Sequence, residues 1–416
     1  MPNPDSALSL HPLHRLWRLL PVRQRRALLT RGTALLAPHP ARRPPPPRAG
    51  VVVAGELTRA SGLGEAARLM ELAIAGLGVA TWQVDTGGAF PGDGPGLPPP
   101  GDIPDGAPLL LHVNAPVLPW ALLRLPRRLV RRRRVIGYWA WELPVVPESW
   151  RVGLGFVHEI WAPSRFAADA FRAWVPPQSG IAVRIVPHPV AVVPPEPARL
   201  GRADFGLPNA AVIVLVSFSL ASSNVRKNPL GAVQAFRAAF GDRTDRILLL
   251  KIGSPGHFPE EFAALRAAVA GCPNIRLETR TLPRADSHAL TACADIVLSL
   301  HRSEGFGLVP AEAMLLGRPV VATGWSGNMD FMDADSAALV GYRLVPARDP
   351  RGVFEAPGAV WAEPDIAEAA ERLRALADDP VLRAALGARG QAAATARLGP
   401  APVAAALRHL GLVPTG

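Results

Sequence analysis

The chain has 416 residues, of which 49% are hydrophobic and 19% are charged, and its formal net charge is +11. This length favours two globular domains over one. No run of about 20 apolar residues occurs, which excludes a conventional membrane-spanning helix. The N-terminal apolar pieces are broken by Arg15, Arg18 and Arg23, so a cleaved secretion signal is not expected. Cys272 and Cys293 have neither metal-binding nor redox spacing, which indicates a reducing, cytoplasmic setting.

The positive charge is concentrated in two arginine-rich segments, residues 15–31 and 127–134. Such clusters favour phosphates or an anionic membrane surface as partners. No zinc-finger spacing or RNA-binding aromatic motif accompanies them, so we expect no nucleic-acid partner. Residues 1–48 are predicted to be a basic extension that ends in the proline-rich ARRPPPPR. The extension is either an interfacial helix on a membrane or a helix packed on the body of the protein.

Apolar runs and helical patterns alternate from Gly50 onward, which predicts parallel sheets. The runs that we interpret as strands of a first domain cover 50–55, 80–85, 108–114, 134–140, 159–164 and 183–188. The proline-rich segment 191–208 is typical of a hinge. Strands of a second series cover 211–219, 246–253, 274–279, 295–300 and 319–323, and the chain after 365 is helical.

The predicted fold class is therefore α/β, with two doubly wound Rossmann-like domains facing each other across a cleft. We predict a first domain over 49–195 and a second over 196–380. Residues 381–416 are predicted to form terminal helices.

The stretch HRSEGFGLVPAEAMLLG (301–317) carries the strongest functional signal. Gly305 and Gly307 stand between a predicted strand and a helix, where open α/β sheets bind ligands. Free N–H groups at a helix start favour anionic or hydroxyl-rich ligands. Glu304 enters from the loop and Glu312 from the helix. Two carboxylates at such a place can hold several hydroxyls, which suggests a sugar or a ribose.

Together with the following GRPVVATGWSGNMDFM, this stretch resembles the donor-binding signature of retaining glycosyltransferases of family 4, the group 1 transferases, which have the GT-B fold. The resemblance implies that Glu304 lies beside the donor sugar and that Glu312 holds the nucleotide ribose. It also implies that the terminal helices cross back to the first domain. The backbone N–H groups implied to bind sugar hydroxyls are those of Gly305, Phe306, Gly307 and Leu308.

A second glycine-bearing loop, GELTRASGLGEAARLM (55–70), leaves the first predicted strand. Gly62 and Gly64 stand where backbone N–H groups could meet a phosphate. The spacing is not that of the dinucleotide-binding fingerprint, and a tight turn before a helix is the alternative. In the resembling transferases this loop closes over the donor diphosphate or meets the acceptor.

Arg226 and Lys227 precede a proline that begins a predicted helix. Two cations there can neutralise a diphosphate leaving group, although solvated surface charges are the alternative. The resembling family uses an Arg and a Lys about five residues apart. Lys227 matches the Lys, but Ser219 or Leu220 occupies the earlier Arg position, so the individual role of Arg226 stays open.

The segment IGYWAWE (136–142) crowds aromatic residues at a strand end. Many family 4 enzymes have a histidine near this position, and this chain lacks it. Glu142 is the nearest polar candidate for a catalytic role, with His112 and Asn114 on the preceding strand end. The alternative is that the aromatic residues form ordinary core.

The resemblance implies transfer of a sugar from a GDP- or UDP-sugar to a glycan or lipid-linked hydroxyl acceptor, with retention, in surface polysaccharide or glycolipid assembly. It implies no cofactor and no metal. We expect a cytoplasmic protein, peripheral on the inner membrane face if the extension binds lipid. A GT-B scaffold that has lost its chemistry and serves as a binding subunit is the alternative. The missing histidine supports that alternative, whereas the Glu pair and Lys227 argue against it. A sugar-nucleotide epimerase of the same fold is more distant.

Overall fold

The computed structural model describes residues 22–59, 61–87 and 101–414. Within these residues the chain forms two α/β domains, each built on a sheet of six parallel strands. The predicted pair of doubly wound Rossmann-like domains is confirmed. The cleft between them contains the candidate site.

The first sheet has the strand order β2-β1-β3-β4-β5-β6. The chain passes from β1 to β2 on one side and returns to β3 on the other, so a crevice opens at the carboxyl ends of β1 and β3. The strands are β1 Val51–Gly55, β2 Thr81–Asp85, β3 Leu109–His112, β4 Val135–Tyr138, β5 Glu159–Ala162 and β6 Ala182–Ile185. The helices are α1 Val22–Leu36, α2 Gly62–Gly76, α3 Leu118–Leu123, α4 Arg127–Arg131 and α5 Arg165–Trp174.

The second sheet has the order β12-β11-β10-β7-β8-β9, so its corresponding crevice opens between β7 and β10. The strands are β7 Val212–Ser219, β8 Arg246–Gly253, β9 Ile275–Glu278, β10 Ile296–Ser299, β11 Val320–Thr323 and β12 Ala338–Val340. The helices are α6 Asn224–Lys227, α7 Pro229–Phe240, α8 Pro259–Ala268, α9 Arg284–Cys293, α10 Leu308–Leu315, α11 Ile366–Asp378, α12 Pro380–Arg397 and α13 Ala401–His409.

Local sequence explains where several of these elements begin. Every residue of β1 and of β3 is buried, as expected for strands of a parallel sheet covered on both faces. Ser61 and Ser164 cap α2 and α5 by accepting a hydrogen bond from the third backbone N–H that follows. Asp365 and Asp379 cap α11 and α12 in the same manner.

An antiparallel hairpin that the sequence analysis did not predict follows the second sheet. It consists of β13 Tyr342–Pro346 and β14 Val360–Pro364. Phe354 in its connecting loop and Trp361 on β14 are buried with the core of the first domain. The hairpin therefore joins the two domains on one side of the cleft.

The C-terminal helix returns to the first domain. Val403 and Leu407 of α13 are fully buried in the same cluster as Val51 and Met70. The segment that leads back to the first domain lies next to the segment that first connects the two domains, because the N–H of Ala191 donates to the carbonyl of Leu398 at 3.1 Å. Residues 191–208 lie between β6 and β7.

Part of the predicted basic extension lies outside the described residues, including its first 21 positions. Helix α1 carries exposed Leu35 and Leu36, whereas Ala37 is buried in the first-domain core. In the second arginine cluster, Arg133 is buried and donates to the carbonyls of Pro104 and Ala107. None of the helices in the described ranges is long and apolar enough to cross a bilayer.

Candidate active site

A cavity of about 860 Å³ lies between the domains, where the two crevices face each other. From the first domain it is lined by Gly62, His112 and Glu142. The second domain contributes, among others, Arg226, Lys227, Glu304, Gly305, Phe306, Gly307, Leu308 and Glu312. The structure thus brings together residues that are distant in sequence, at the carboxyl ends of β1, β3, β4, β7 and β10.

Glu304 is buried in this cavity between two cations. Its Oε1 lies 2.5 Å from Nζ of Lys227, and its Oε2 lies 3.1 Å from Nη1 of Arg226. Burial alone would raise the pKa of the Glu304 carboxyl, but the charges of Lys227 and Arg226 hold that pKa at about 2. The carboxylate is therefore ionised at neutral pH.

Arg226 has only 3% of its side chain exposed, which rules out a solvated surface charge. Besides Glu304, its guanidinium donates to the carbonyls of Ser303 and Ser222 at 2.7 and 2.9 Å. It also lies 5.3 Å from the ring centre of Phe354, in the loop of the interdomain hairpin. The guanidinium is thus held from several directions.

Glu142, in the first domain, also contacts the charged group formed by Glu304, Lys227 and Arg226. Its Oε1 lies 3.6 Å from Nη2 of Arg226, so this ion pair spans the cleft. Burial raises the pKa of the Glu142 carboxyl, and Arg226 opposes that rise. Glu142 and Glu304 therefore share one guanidinium but have pKa values shifted in opposite directions.

The backbone around Glu304 is tied to both domains. Ser303 Oγ donates to the carbonyl of Glu142, and Ser164 Oγ donates to the carbonyl of Gly305 at 2.6 Å. A Cβ atom at Gly305 would lie 3.0 Å from the carbonyl oxygen of Trp141. Glycine at 305 therefore lets the two domains approach closely.

A second loop fixes Glu304 from within its own domain. The N–H of Glu304 donates to Oγ of Ser326, and its carbonyl accepts from the N–H of Gly327, both at 2.9 Å. A Cβ atom at Gly327 would stand 2.3 Å from the carbonyl oxygen of Gly305. Neither residue was predicted to support the site, although both lie in the segment GRPVVATGWSGNMDFM.

Helix α10 begins at Leu308, immediately after Gly307, which has a φ of 100°. The first N–H groups of the helix have no acceptor within it and stand at the cavity. Phe306 contributes its backbone to this loop, while its ring is buried against Phe331. Glu312 lies further along α10, lines the cavity and is 3.6 Å from Nε2 of His288.

Gly62 and Gly64, the two glycines of the first-domain loop, differ in whether they face the cavity. Gly62 lines the cavity opposite Leu308, whose Cδ1 would lie 4.0 Å from a Cβ atom at Gly62. Gly64 is buried, and its N–H donates to the capping oxygen of Ser61 at 3.0 Å. A Cβ atom at Gly64 would be 2.4 Å from the carbonyl of Glu56. The prediction of Gly64 as a free donor to phosphate is therefore wrong, because helix capping uses that N–H.

Other cavity residues were missed or underrated by the sequence analysis. His112 lies at its floor, and Lys251 lines it while donating to the carbonyl of Arg280 at 2.7 Å. Val117 and Trp120 are exposed where the first domain meets the cavity. A short apolar run before a histidine was the only sequence signal for His112, and no motif marked Trp120.

Comparisons with known proteins agree with this geometry. Residues 213–363 match the family model described as glycosyl transferases group 1. The chain is 28% identical over 178 residues to a D-inositol 3-phosphate glycosyltransferase of Nocardioides sp. (strain ATCC BAA-499 / JS614). That match covers 40% of this chain and 38% of the curated relative.

Solved structures share the arrangement of both domains. Anabaena Alr3699/HepE in complex with UDP and glucose superposes with a TM-score of 0.58 at 13% identity, covering 88% of this chain and 100% of that one. WaaG, a glycosyltransferase involved in lipopolysaccharide biosynthesis, gives a TM-score of 0.55 at 16% identity, covering 86% and 99%. The fold is that of the GT-B glycosyltransferases.

Proposed function

We propose that this protein is a retaining glycosyltransferase that moves a sugar from a nucleotide diphosphate sugar to a hydroxyl acceptor. The observation that carries the proposal is the position of Glu304 between Lys227 and Arg226, at the carboxyl end of the second sheet and facing the first domain. A crevice at this point of an open α/β sheet is the expected place for a nucleotide. The match of residues 213–363 to the group 1 transferases supports the same reaction.

Lys227 and Arg226 are proposed to bind the donor diphosphate. Both cations contact Glu304 and Arg226 also pairs with Glu142, so an incoming diphosphate would share or replace the Glu304 carboxylate as a partner of the cations. Negative charge grows on the diphosphate as the glycosidic bond breaks, and preorganised cations stabilise it most at that moment. This explains why two cations are held so firmly beside a cavity.

The rest of the donor is proposed to lie along the second domain. Glu312 would accept hydrogen bonds from the ribose hydroxyls, since its carboxylate lines the cavity. The N–H groups at the start of α10, together with the loop of Gly305 and Gly307, would bind the sugar hydroxyls. Alr3699/HepE, which shares the fold, was crystallised with UDP-glucose, which supports a UDP-sugar as a first donor to test.

Retention follows from a reaction on one face of the sugar. The bond between the anomeric carbon and the donor phosphate oxygen breaks, and the acceptor oxygen bonds to that carbon from the same side. The acceptor proton passes to a donor phosphate oxygen, so no enzyme nucleophile is required. We propose that the reaction needs no metal or cofactor. Glu304 and Glu142 would orient the reacting groups around Arg226.

The acceptor is proposed to enter along the first domain and to be a glycan or a lipid-linked sugar. Val117 and Trp120 expose apolar surface at the cavity, which suits the ring face of a sugar or an apolar carrier. The sequence similarity to a D-inositol 3-phosphate glycosyltransferase supports a hydroxyl acceptor. The fold shared with WaaG, which is involved in lipopolysaccharide biosynthesis, supports a glycan or a lipid-linked sugar as that acceptor. We therefore propose a role in surface polysaccharide or glycolipid assembly.

We further propose that the protein works in the cytoplasm, attached to the inner membrane face through its basic N-terminal region. Exposed Leu35 and Leu36 at the end of α1 supply apolar contacts. Arg127, Arg128 and Arg131 on α4 supply positive charge on the same domain. Each basic side chain near an anionic surface contributes about 1 kcal/mol.

The decisive experiment offers the purified protein a panel of UDP- and GDP-sugars and measures release of nucleoside diphosphate, with and without EDTA. NMR of the product then reports the anomeric configuration. Retention of configuration and equal rates with EDTA are expected. Nucleotide-sugar binding without turnover for any donor or acceptor would instead favour the binding-subunit alternative. Absence of nucleotide binding would refute both.

A further inference from the structure

His112 stands at a place in the first domain where a ligand is expected. It is the last residue of β3, paired in register with Gly55, the last residue of β1. The carboxyl ends of these two strands form the crevice of the first sheet. A Cβ atom at Gly55 would lie 3.1 Å from that of His112, so glycine there lets His112 pack closely against β1.

The polar atoms of His112 are not explained by packing. The side chain is 1% exposed and stacks on the ring of Tyr138, with 4.3 Å between ring centres. Neither ring nitrogen has a hydrogen-bond partner among the described residues. Leaving a buried donor and a buried acceptor unpaired costs stability, and a phenylalanine would stack without that cost. The unpaired nitrogens therefore point to a ligand.

The environment of His112 favours the neutral form of its imidazole. Burial and the neighbouring His188 lower the pKa of His112 well below its usual value, and burial lowers the pKa of His188 to about 3. A neutral imidazole has one N–H donor and one lone-pair acceptor. A sugar hydroxyl both accepts and donates, so it can pair with either nitrogen, and neighbouring hydroxyls of one sugar can pair with both. A phosphate or carboxylate would pair only with the N–H and would leave the lone pair unmatched.

Contacts between aromatic side chains connect His112, through Tyr138 and His188, to Phe306 in the glycine loop that precedes α10. The hydroxyl of Tyr138 lies 2.9 Å from Nδ1 of His188, and the ring of His188 packs edge-on against Phe306 at 4.6 Å. His112, Glu304 and Gly305 line the same cavity. We propose that His112 binds a hydroxyl of a sugar held in the cleft. This proposal rests on the proposed glycosyl transfer and assigns a further substrate-binding residue to it.

Three variants separate substrate binding from packing. His112→Phe keeps the ring stack and removes both nitrogens. His112→Gln retains one donor and one acceptor. His257→Gln, at an exposed histidine away from the cavity, is the matched control. Each is measured for thermal unfolding, for calorimetric binding of UDP and UDP-glucose (or GDP and GDP-mannose), and for kinetics of transfer and donor hydrolysis.

We expect His112→Phe to unfold at the wild-type temperature or above it, because two unpaired polar atoms are gone. Its affinity for the nucleoside diphosphate should stay unchanged, while kcat/KM for transfer falls about tenfold. His112→Gln should recover part of that loss, and His257→Gln should behave as wild type. If the hydroxyl belongs to the donor sugar, His112→Phe should lose part of the extra affinity that wild type has for the nucleotide sugar over the free nucleoside diphosphate. If the acceptor supplies it, the acceptor KM rises and donor hydrolysis is unaffected.

Wild-type transfer and hydrolysis in His112→Phe would overturn the proposal and leave His112 as a packing residue. If that variant does not fold, wild-type activity in His112→Ala would overturn it equally. These results differ from failure of the proposed function, in which the wild-type protein itself transfers no sugar from any donor, whether or not it binds UDP or GDP.

Discussion

Lys227 Nζ and Glu304 Oε1 are 2.5 Å apart, and the other oxygen of Glu304 faces Arg226. The cations proposed for the diphosphate and the carboxylate proposed for the sugar therefore form one unit. Because charges in contact are not independent, substitutions at these three positions should give non-additive effects. This coupling underlies the first three predictions.

Glu304→Gln should lower kcat for transfer by about 10²–10³-fold, the usual loss when one preorganised electrostatic contact to a transition state is removed. It should also lower the free energy of unfolding by about 3 kcal/mol, because buried Arg226 loses a partner. Steady-state kinetics and thermal unfolding measure the two effects. Glu355→Gln, at an exposed carboxylate, is the control. A turnover rate near that of wild type would show that Glu304 has no role in the proposed site.

Lys227→Ala should weaken the binding of UDP or GDP, because a positive charge next to the phosphates is lost. Added salt should narrow the difference from wild type, since it screens that attraction. Calorimetry at two ionic strengths measures both effects. Arg408→Ala removes an exposed cation on α13 and should leave affinity unchanged. Equal affinity of the Lys227 variant and wild type would contradict a phosphate-binding role.

Acid should destabilise the protein partly through Glu304. Its pKa is about 2 in the folded protein and near 4.5 when unperturbed, so the unfolded chain binds more protons between these values. The resulting stability, on the order of 3 kcal/mol, is present above about pH 4.5 and is lost as pH falls through 2. The difference in unfolding midpoint between wild type and Glu304→Gln should therefore stay constant from pH 7 to about pH 5 and narrow as the pH falls from 4.5 towards 2. A difference that stayed constant over the whole range would show that the Glu304 pKa is not depressed.

Phe354→Ala should reduce both stability and activity. Phe354 is buried between Trp141, 5.4 Å away in a stacked arrangement, and the guanidinium of Arg226. Its loss should cost about 3 kcal/mol of unfolding free energy and let Arg226 move, which lowers kcat/KM. Leu344→Ala, at an exposed position of the same hairpin, should do neither. Full activity in a destabilised Phe354 variant would confine the hairpin to a structural role.

Replacing Leu35 and Leu36 together with serine should weaken attachment to anionic vesicles, since both side chains are exposed on α1. Flotation of the full-length chain with phosphatidylglycerol and with phosphatidylcholine vesicles measures this. Wild type should float only with the anionic lipid. Val381→Ser removes an equally exposed aliphatic side chain from the second domain and serves as control. Equal flotation of all three proteins, or of none, would contradict the proposed membrane contact.

The sequence predicted the two sheets and the residues of the second-domain crevice. Central strands such as β1, β3 and β4 are apolar runs in which every residue is buried. The glycines at 305 and 307 and the cations at 226 and 227 each lie in a short motif next to a strand end, so local pattern was sufficient. Domain boundaries and the roles of site residues stay predictions. Gly64 was misinterpreted because a glycine whose N–H donates to a helix-capping side chain and one whose N–H binds phosphate look identical in a sequence.

Features that depend on contacts between the domains were not predictable. The hairpin of β13 and β14 has exposed as well as buried apolar residues, so its pattern does not reveal that Phe354 enters the other domain. Arg226 looks like a surface charge until Glu142 is brought to it across the cleft. The unpaired nitrogens of His112 are likewise a property of the folded neighbourhood.

The return of the C-terminal helix has a mechanical consequence. The chain crosses between the domains near Ala191 and again near Leu398, and the two crossings are joined by a hydrogen bond. Two adjacent chain segments that cross between the domains define an axis. They also resist rotation of one domain relative to the other about the line that joins the domain centres. We expect opening of the cleft to be a swing about that axis. During this opening, atoms near Ala191 and Leu398 would move least, and atoms on the side of the cleft farthest from these two crossings would move most.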